Sequence, residues 1–125
     1  MWEFNNDKPV YVQIVDEILN RIASGVYKSG ERIPSVRELA EEARVNPNTM
    51  QRALAEVERA GYIVSLRTSG KFVTDNTGLI NSLSKDRAKD VVVRFIQDMQ
   101  RMGFTLEESI ELIKRYCDEV DGQSQ

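Results

Sequence analysis

Residues 35–54, reading Ser-Val-Arg-Glu-Leu-Ala-Glu-Glu-Ala-Arg-Val-Asn-Pro-Asn-Thr-Met-Gln-Arg-Ala-Leu, hold two helix starts separated by a short turn. Ser35 and Glu38 stand at capping-box spacing: the serine hydroxyl accepts from a backbone N–H three residues on, and the glutamate reaches back. Val36, Leu39, Ala40 and Ala43 then recur at i, i+3, i+4 and i+7, a narrow apolar stripe on a short helix. Asn46 before Pro47 is the second start, an N-cap side chain followed by a ring whose missing N–H does no harm at the first helical position. From there Met50, Ala53, Leu54 and Val57 share one face, while Asn48, Gln51, Arg52, Ala55 and Arg59 occupy the other. Two short helices joined by so brief a turn, the second polar and slightly basic outside, describe a helix-turn-helix.

The start of the second helix offers free backbone N–H groups and a positive dipole end to phosphate. Beside them stand Asn48, Thr49, Gln51 and Arg52; asparagine and glutamine pair with adenine edges, arginine with guanine. A capped, solvated helix face would carry the same residues, so the surrounding elements must decide. Upstream, Tyr11, Ile14, Val15, Ile18, Leu19 and Ile22 predict a helix from about Val10 to Ser24, stopped at Gly25. Glu31-Arg32-Ile33 reads as a brief strand before Pro34. Downstream, Gly61 ends the third helix, Tyr62–Arg67 and Lys71–Thr74 are strand-like, and Thr68-Ser69-Gly70 turns between them. Three helices and a hairpin with a basic tip, Arg67 and Lys71 flanking Gly70, make a winged helix. A glycine at that tip lets backbone approach DNA closely.

Asp75–Ser84 is turn-rich and reads as a linker. Beyond it, Ala88, Val91, Val92, Phe95, Ile96, Met99 and Met102 lie on one side of a helix ending at Gly103. Thr105 and Glu108 repeat the capping-box spacing. Leu106, Ile110, Ile113, Cys117 and Val120 follow in alternating steps of four and three. Two helices cannot bury such stripes in so short a segment, so Val91, Val92, Phe95, Ile96, Met99, Ile110, Ile113 and Cys117 are expected at a dimer interface. The expected class is mainly α with a small β-hairpin wing: a winged helix-turn-helix over residues 1–74, a linker over 75–84 and a two-helix dimerisation region over 85–125.

Composition narrows the function. The chain has 125 residues and a formal net charge of −3, yet residues 28–73 hold 8 of its 17 basic groups against 6 acidic ones. Only this middle third is positive, which suits a specific patch with few phosphate contacts over bulk coating of nucleic acid. No apolar run approaches the roughly 20 residues of a membrane span and the N-terminus is no signal peptide, so a cytoplasmic protein is expected. Without histidine, clustered metal ligands or a phosphate-cradling loop, no enzyme, metal or cofactor is expected. Cys117, the single cysteine, is expected to be a small buried hydrophobe. The competing class is a winged-helix scaffold for protein partners. Against it, Asn46–Arg52 lacks the large apolar groups of protein hot spots.

From Lys8 to Val73 the chain resembles the GntR family of bacterial transcription regulators. The likeness rests on Pro9-Val10-Tyr11 with Gln13 and Ile14, on Gly30–Ile33, on Pro34–Ala40, on Val45–Met50 with Arg52-Ala53-Leu54, and on Gly61–Val73. In length and two-helix character the tail is similar to the YtrA subfamily. The resemblance implies a homodimer on a pseudo-palindromic operator, acting as a repressor, and the subfamily often governs operons for ABC transporters. It also implies DNA contacts from Arg37, Asn46, Asn48, Thr49, Gln51 and Gly70; helix and hairpin geometry adds Arg52 and Lys71. Two positions depart from the pattern. Arg44 stands where a turn glycine is usual, and Thr68 replaces the first of two wing glycines. The tail is too short to enclose a metabolite pocket of some hundreds of Å³, so no dedicated deep effector site is expected.

Overall fold

A computed structural model describes residues 2–123 and divides the chain into two compact units, Met1–Arg87 and Ala88–Gln125. In the first unit, helix α1 (Val10–Ala23) points Ile14, Ile18 and Ile22 inward at four-residue steps. Gln13 ties the chain ahead of α1 to it, donating to the Asn5 and Lys8 carbonyls and accepting from the Asn5 N–H. The helix stops at Gly25, whose φ of +83° suits glycine.

Helix α2 (Val36–Ala43) opens on the full capping box: the Glu38 N–H donates to Ser35 Oγ and the Ser35 N–H to Glu38 Oε1, each at 3.1 Å. It closes through Arg44, left-handed at φ +57° and ψ +47°. The Arg44 N–H bonds the Glu41 carbonyl at 3.3 Å and the Val45 N–H bonds that of Ala40 at 3.0 Å, the Schellman pattern. Those two closing bonds go with a left-handed residue at this position, so the arginine adopts a conformation costing a non-glycine residue about 1–2 kcal/mol. Helix α3 (Pro47–Arg59) begins at Asn46, whose side-chain oxygen accepts from the Asn48 N–H at 2.7 Å; Met50, Ala53, Leu54 and Val57 are buried.

Strands β1 (Ile63–Leu66) and β2 (Gly70–Val73) pair antiparallel, with Ile63 opposite Val73 and Ser65 opposite Lys71. Residues 31–33 lie along the other edge of β2: Arg32 bridges Phe72, the Ile33 N–H donates to the Lys71 carbonyl and the Val73 N–H to that of Glu31. The brief strand expected there is a β-bridge. Ile14, Ile18, Leu39, Met50, Leu54 and Ile63 form the fully buried centre of this unit.

Helix α4 (Thr77–Arg101) differs from expectation at its start, for residues 77–84 are its first two turns where an irregular linker was anticipated. The polar residues that suggest turns there serve as caps. Asn76 Oδ1 accepts from the Leu79 N–H, and Thr74 Oγ1 from the Asn76 N–H. Leu83 is buried and Ile80 packs on the first unit's core, while Arg87 bonds the Asn20 side chain and the Asp16 carbonyl of α1.

In the second unit, Gly103 ends α4 with φ +91°, and α5 (Leu106–Gln123) starts on a second complete capping box, Thr105 with Glu108. Met99 and Ser109 are buried, but Val91, Val92, Phe95, Ile110 and Ile113 are exposed and Ile96 is half-buried. Cys117, expected to be a buried hydrophobe, is exposed.

Candidate nucleic-acid interface

The outer side of α3 is assembled by its cap and its buried stripe together. With Met50, Ala53, Leu54 and Val57 turned inward, Asn48, Gln51 and Arg52 stand exposed and Thr49 half-buried. Asn46 spends its side-chain oxygen on the cap, which leaves its amide hydrogens to donate elsewhere. Arg52 is held in place: its guanidinium carbon lies 3.7 Å from the centroid of the Tyr11 ring, a cation–π stack that narrows the arginine's conformers. Sequence periodicity put Tyr11 on the apolar side of α1; only the fold brings it under Arg52. Arg59, on the same outer side, is paired with Glu56 at 2.6 Å. Arg37 is exposed in the first turn of α2, and the pair with Glu41 that four-residue spacing permits is not formed.

At the wing, Gly70 has φ +104°, and a Cβ placed on it would lie 2.9 Å from Arg32 Nε. The Arg32 side chain therefore occupies the space a residue at 70 would need, and joins the wing to the segment leading into α2. Sequence reading missed Arg32, whose only signal was a cation in a short strand-like segment. Gly70→Ala must both move that guanidinium and hold a left-handed backbone, a loss of about 1–2 kcal/mol. A lower melting temperature with weaker DNA binding is expected; an unchanged melt would show that the tip relaxes freely.

Lys71 departs from the role geometry assigned it as an outward cation. Its ammonium donates to Glu58 Oε1 at 2.9 Å and to Ser65 Oγ at 2.8 Å, and Ser65 Oγ donates to the same carboxylate at 2.7 Å. Cross-strand register puts Ser65 and Lys71 side by side above α3, so Lys71 braces the hairpin on the helix. The Ser65 hydroxyl, then the Lys71 ammonium, holds the Glu58 carboxyl below its ordinary range. A carboxyl depressed in the folded state stabilises fully above the unfolded value of about 4.3 and ceases to do so as pH falls through the folded value. Wild type should thus lose more thermal stability between about pH 5 and pH 3 than Glu58→Gln; parallel curves would show that the brace is not ionic.

Charge separates this region from the rest. Of the eight basic residues in 28–73, Arg59 and Lys71 are paired with carboxylates. Lys28, Arg32, Arg37, Arg44, Arg52 and Arg67 form no ion pair among the described residues, and all six are exposed. Unpaired arginines beside an outward Asn-Thr-Gln face suit a polyanion carrying hydrogen-bonding edges.

A helix-turn-helix with a hairpin wing and this face define a DNA-binding transcription regulator. Residues 10–73 match the bacterial regulatory proteins of the gntR family, and the chain belongs to that family. Among its relatives is the HTH-type transcriptional regulator YhcF of Bacillus subtilis, 35% identical over 93% of this chain and 96% of its own length. Another is the HTH-type transcriptional repressor YtrA of the same organism, 34% identical over 91% and 88%. A GntR family transcriptional regulator from Listeria monocytogenes superposes with a TM-score of 0.82 at 40% identity, covering 90% of this chain and 98% of that one. The AraR DNA-binding domain in complex with operator ORX1 superposes at 0.55 with 25% identity, over 59% of this chain and 95% of that one.

Proposed function

We propose that this regulator is a homodimeric repressor that occupies a pseudo-palindromic operator. Each copy lays α3 in the major groove of one half-site, and the half-sites lie about one helical turn, or a multiple of it, apart. The observation that carries the reading is the outer face of α3, with Asn48, Thr49, Gln51 and Arg52 presented beside unpaired arginines. Arg37 and the amide group of Asn46 extend that face, and Gly70, with Arg32 across it, brings the wing to the adjoining backbone. Lys71 acts through its brace on Glu58. Residues 88–125 hold the dimer through the apolar side chains that a single copy leaves open. Repression and operator binding are supported by the YtrA and AraR relatives; an ABC-transporter operon as the target rests on the subfamily resemblance alone. No helix among the described residues is long and apolar enough to cross a membrane, in keeping with action in the cytoplasm.

Selection from a random duplex pool tests this directly. Recovery of an inverted repeat bound at least about 1,000-fold more tightly than random DNA is the expected result, within the ordinary range for specific regulators. Folded, dimeric protein that enriches no sequence would overturn it.

A further inference from the structure

The turn between α2 and α3 places an arginine where the backbone calls for a glycine. Arg44 is the sole residue other than glycine with positive φ among those described. The backbone bonds that close α2 would form equally well with glycine, and the arginine side chain adds nothing to offset the strain: it is exposed and makes no hydrogen bond or ion pair among the described residues, although Glu41 and Glu42 precede it closely. The apolar packing of the turn comes from Val45, which lies half-buried against the core. A strained residue whose side chain returns nothing to the fold points to a role outside it. Its neighbours indicate which role. Arg44 closes the helix that carries Arg37 and stands two residues ahead of Asn46, where the helix bearing Asn48, Gln51 and Arg52 begins.

We propose that Arg44 is a DNA-backbone contact, its guanidinium taking a phosphate next to the bases addressed by α3. Arginine suits this role because its planar fork bonds phosphate in pairs and keeps its charge at any working pH. Binding energy is thereby gained at the expense of stability, and glycine would reverse the exchange. The inference rests on the placement of α3 in the major groove. It adds a contact that reads no sequence and therefore acts on every duplex alike.

The test uses the full chain and a mixed-sequence duplex of roughly 30 bp at low salt, where phosphate contacts dominate binding. Wild type is compared with Arg44→Gly, Arg44→Asn and Arg44→Lys. Arg44→Gly should melt higher by about 4 °C and bind about tenfold more weakly, with a salt dependence shallower by about 0.9 in logarithmic slope for each bound copy. Arg44→Asn, which tolerates the left-handed backbone without a charge, should show the same loss of binding, and Arg44→Lys should keep most of the slope. A glycine variant that is more stable yet binds with unchanged affinity and slope overturns the Arg44 contact alone. Folded wild type that retains no duplex at low salt overturns the DNA placement of α3 and the contact together.

Discussion

Replacing Arg37 and Gln51 together by alanine should abolish preference for the selected operator and leave the fold intact. Both side chains are exposed and neither enters an ion pair among the described residues. Removing them touches no buried group, and surface changes of this kind usually alter stability by less than about 0.5 kcal/mol. On DNA the cost is of another order. A side chain that bonds a base edge well contributes about 1–3 kcal/mol of discrimination, and one on phosphate contributes a sequence-independent share. A fall of at least about 100-fold on the selected duplex is expected for the pair, equivalent to about 2.7 kcal/mol. The single variants divide the roles: Gln51→Ala should weaken the selected duplex far more than a scrambled one, whereas a phosphate contact by Arg37 would weaken both and flatten the salt dependence. Fluorescence anisotropy on the two duplexes, beside thermal melts, makes the measurement. A double variant that still prefers the selected duplex by the wild-type margin would remove α3 from the groove.

What could be read beforehand followed from short-range physics. Caps, turn glycines and helical stripes act over a few residues, so Ser35 with Glu38, Asn46 with Pro47 and the inward set Met50, Ala53, Leu54 and Val57 all appear where their spacing put them. The features that escaped depend on partners distant in the chain. Lys71 turns inward because register aligns it with Ser65 and packing brings up Glu58, thirteen residues away. Arg52 rests on Tyr11, and Arg32 lies over Gly70, through contacts that no local pattern encodes. Residues 77–84 misled for a different reason. Asn76 and Thr74 favour turns and caps alike, and the choice fell to Ile80 and Leu83, which gain burial only if the helix starts early. Arg44 shows the limit within a single turn: its departure from glycine was plain, but whether the backbone would yield or the arginine would comply rested on the hydrogen bonds that close α2.

A glutamate in place of Phe95 or Ile113 should convert the proposed dimer into a monomer. In one copy Val91 is 71% exposed, Ile113 51% and Phe95 36%, and large apolar side chains exposed together on a soluble domain mark an interaction surface. On α5 the exposed set Leu106, Ile110, Ile113, Cys117 and Val120 advances by alternating fours and threes, the mean step of 3.5 that lets one helix lie along another over several turns. An identical chain supplies a matching seam, and closed twofold symmetry uses the same patch on both partners. A carboxylate introduced there would lose its hydration at the interface without gaining a partner, and the twofold repeats that cost on both copies. Light scattering after size exclusion should report half the wild-type mass, while Glu111→Lys, a change at an exposed polar position of α5, should leave the mass unchanged. Operator affinity should fall with the mass. One copy reaches a single half-site, and separating two linked binding events forfeits about 10²–10⁴ in overall affinity. A Phe95 or Ile113 variant that stays dimeric would locate the interface elsewhere, and one that becomes monomeric yet binds the full operator at wild-type affinity would show that the two half-sites are not read together.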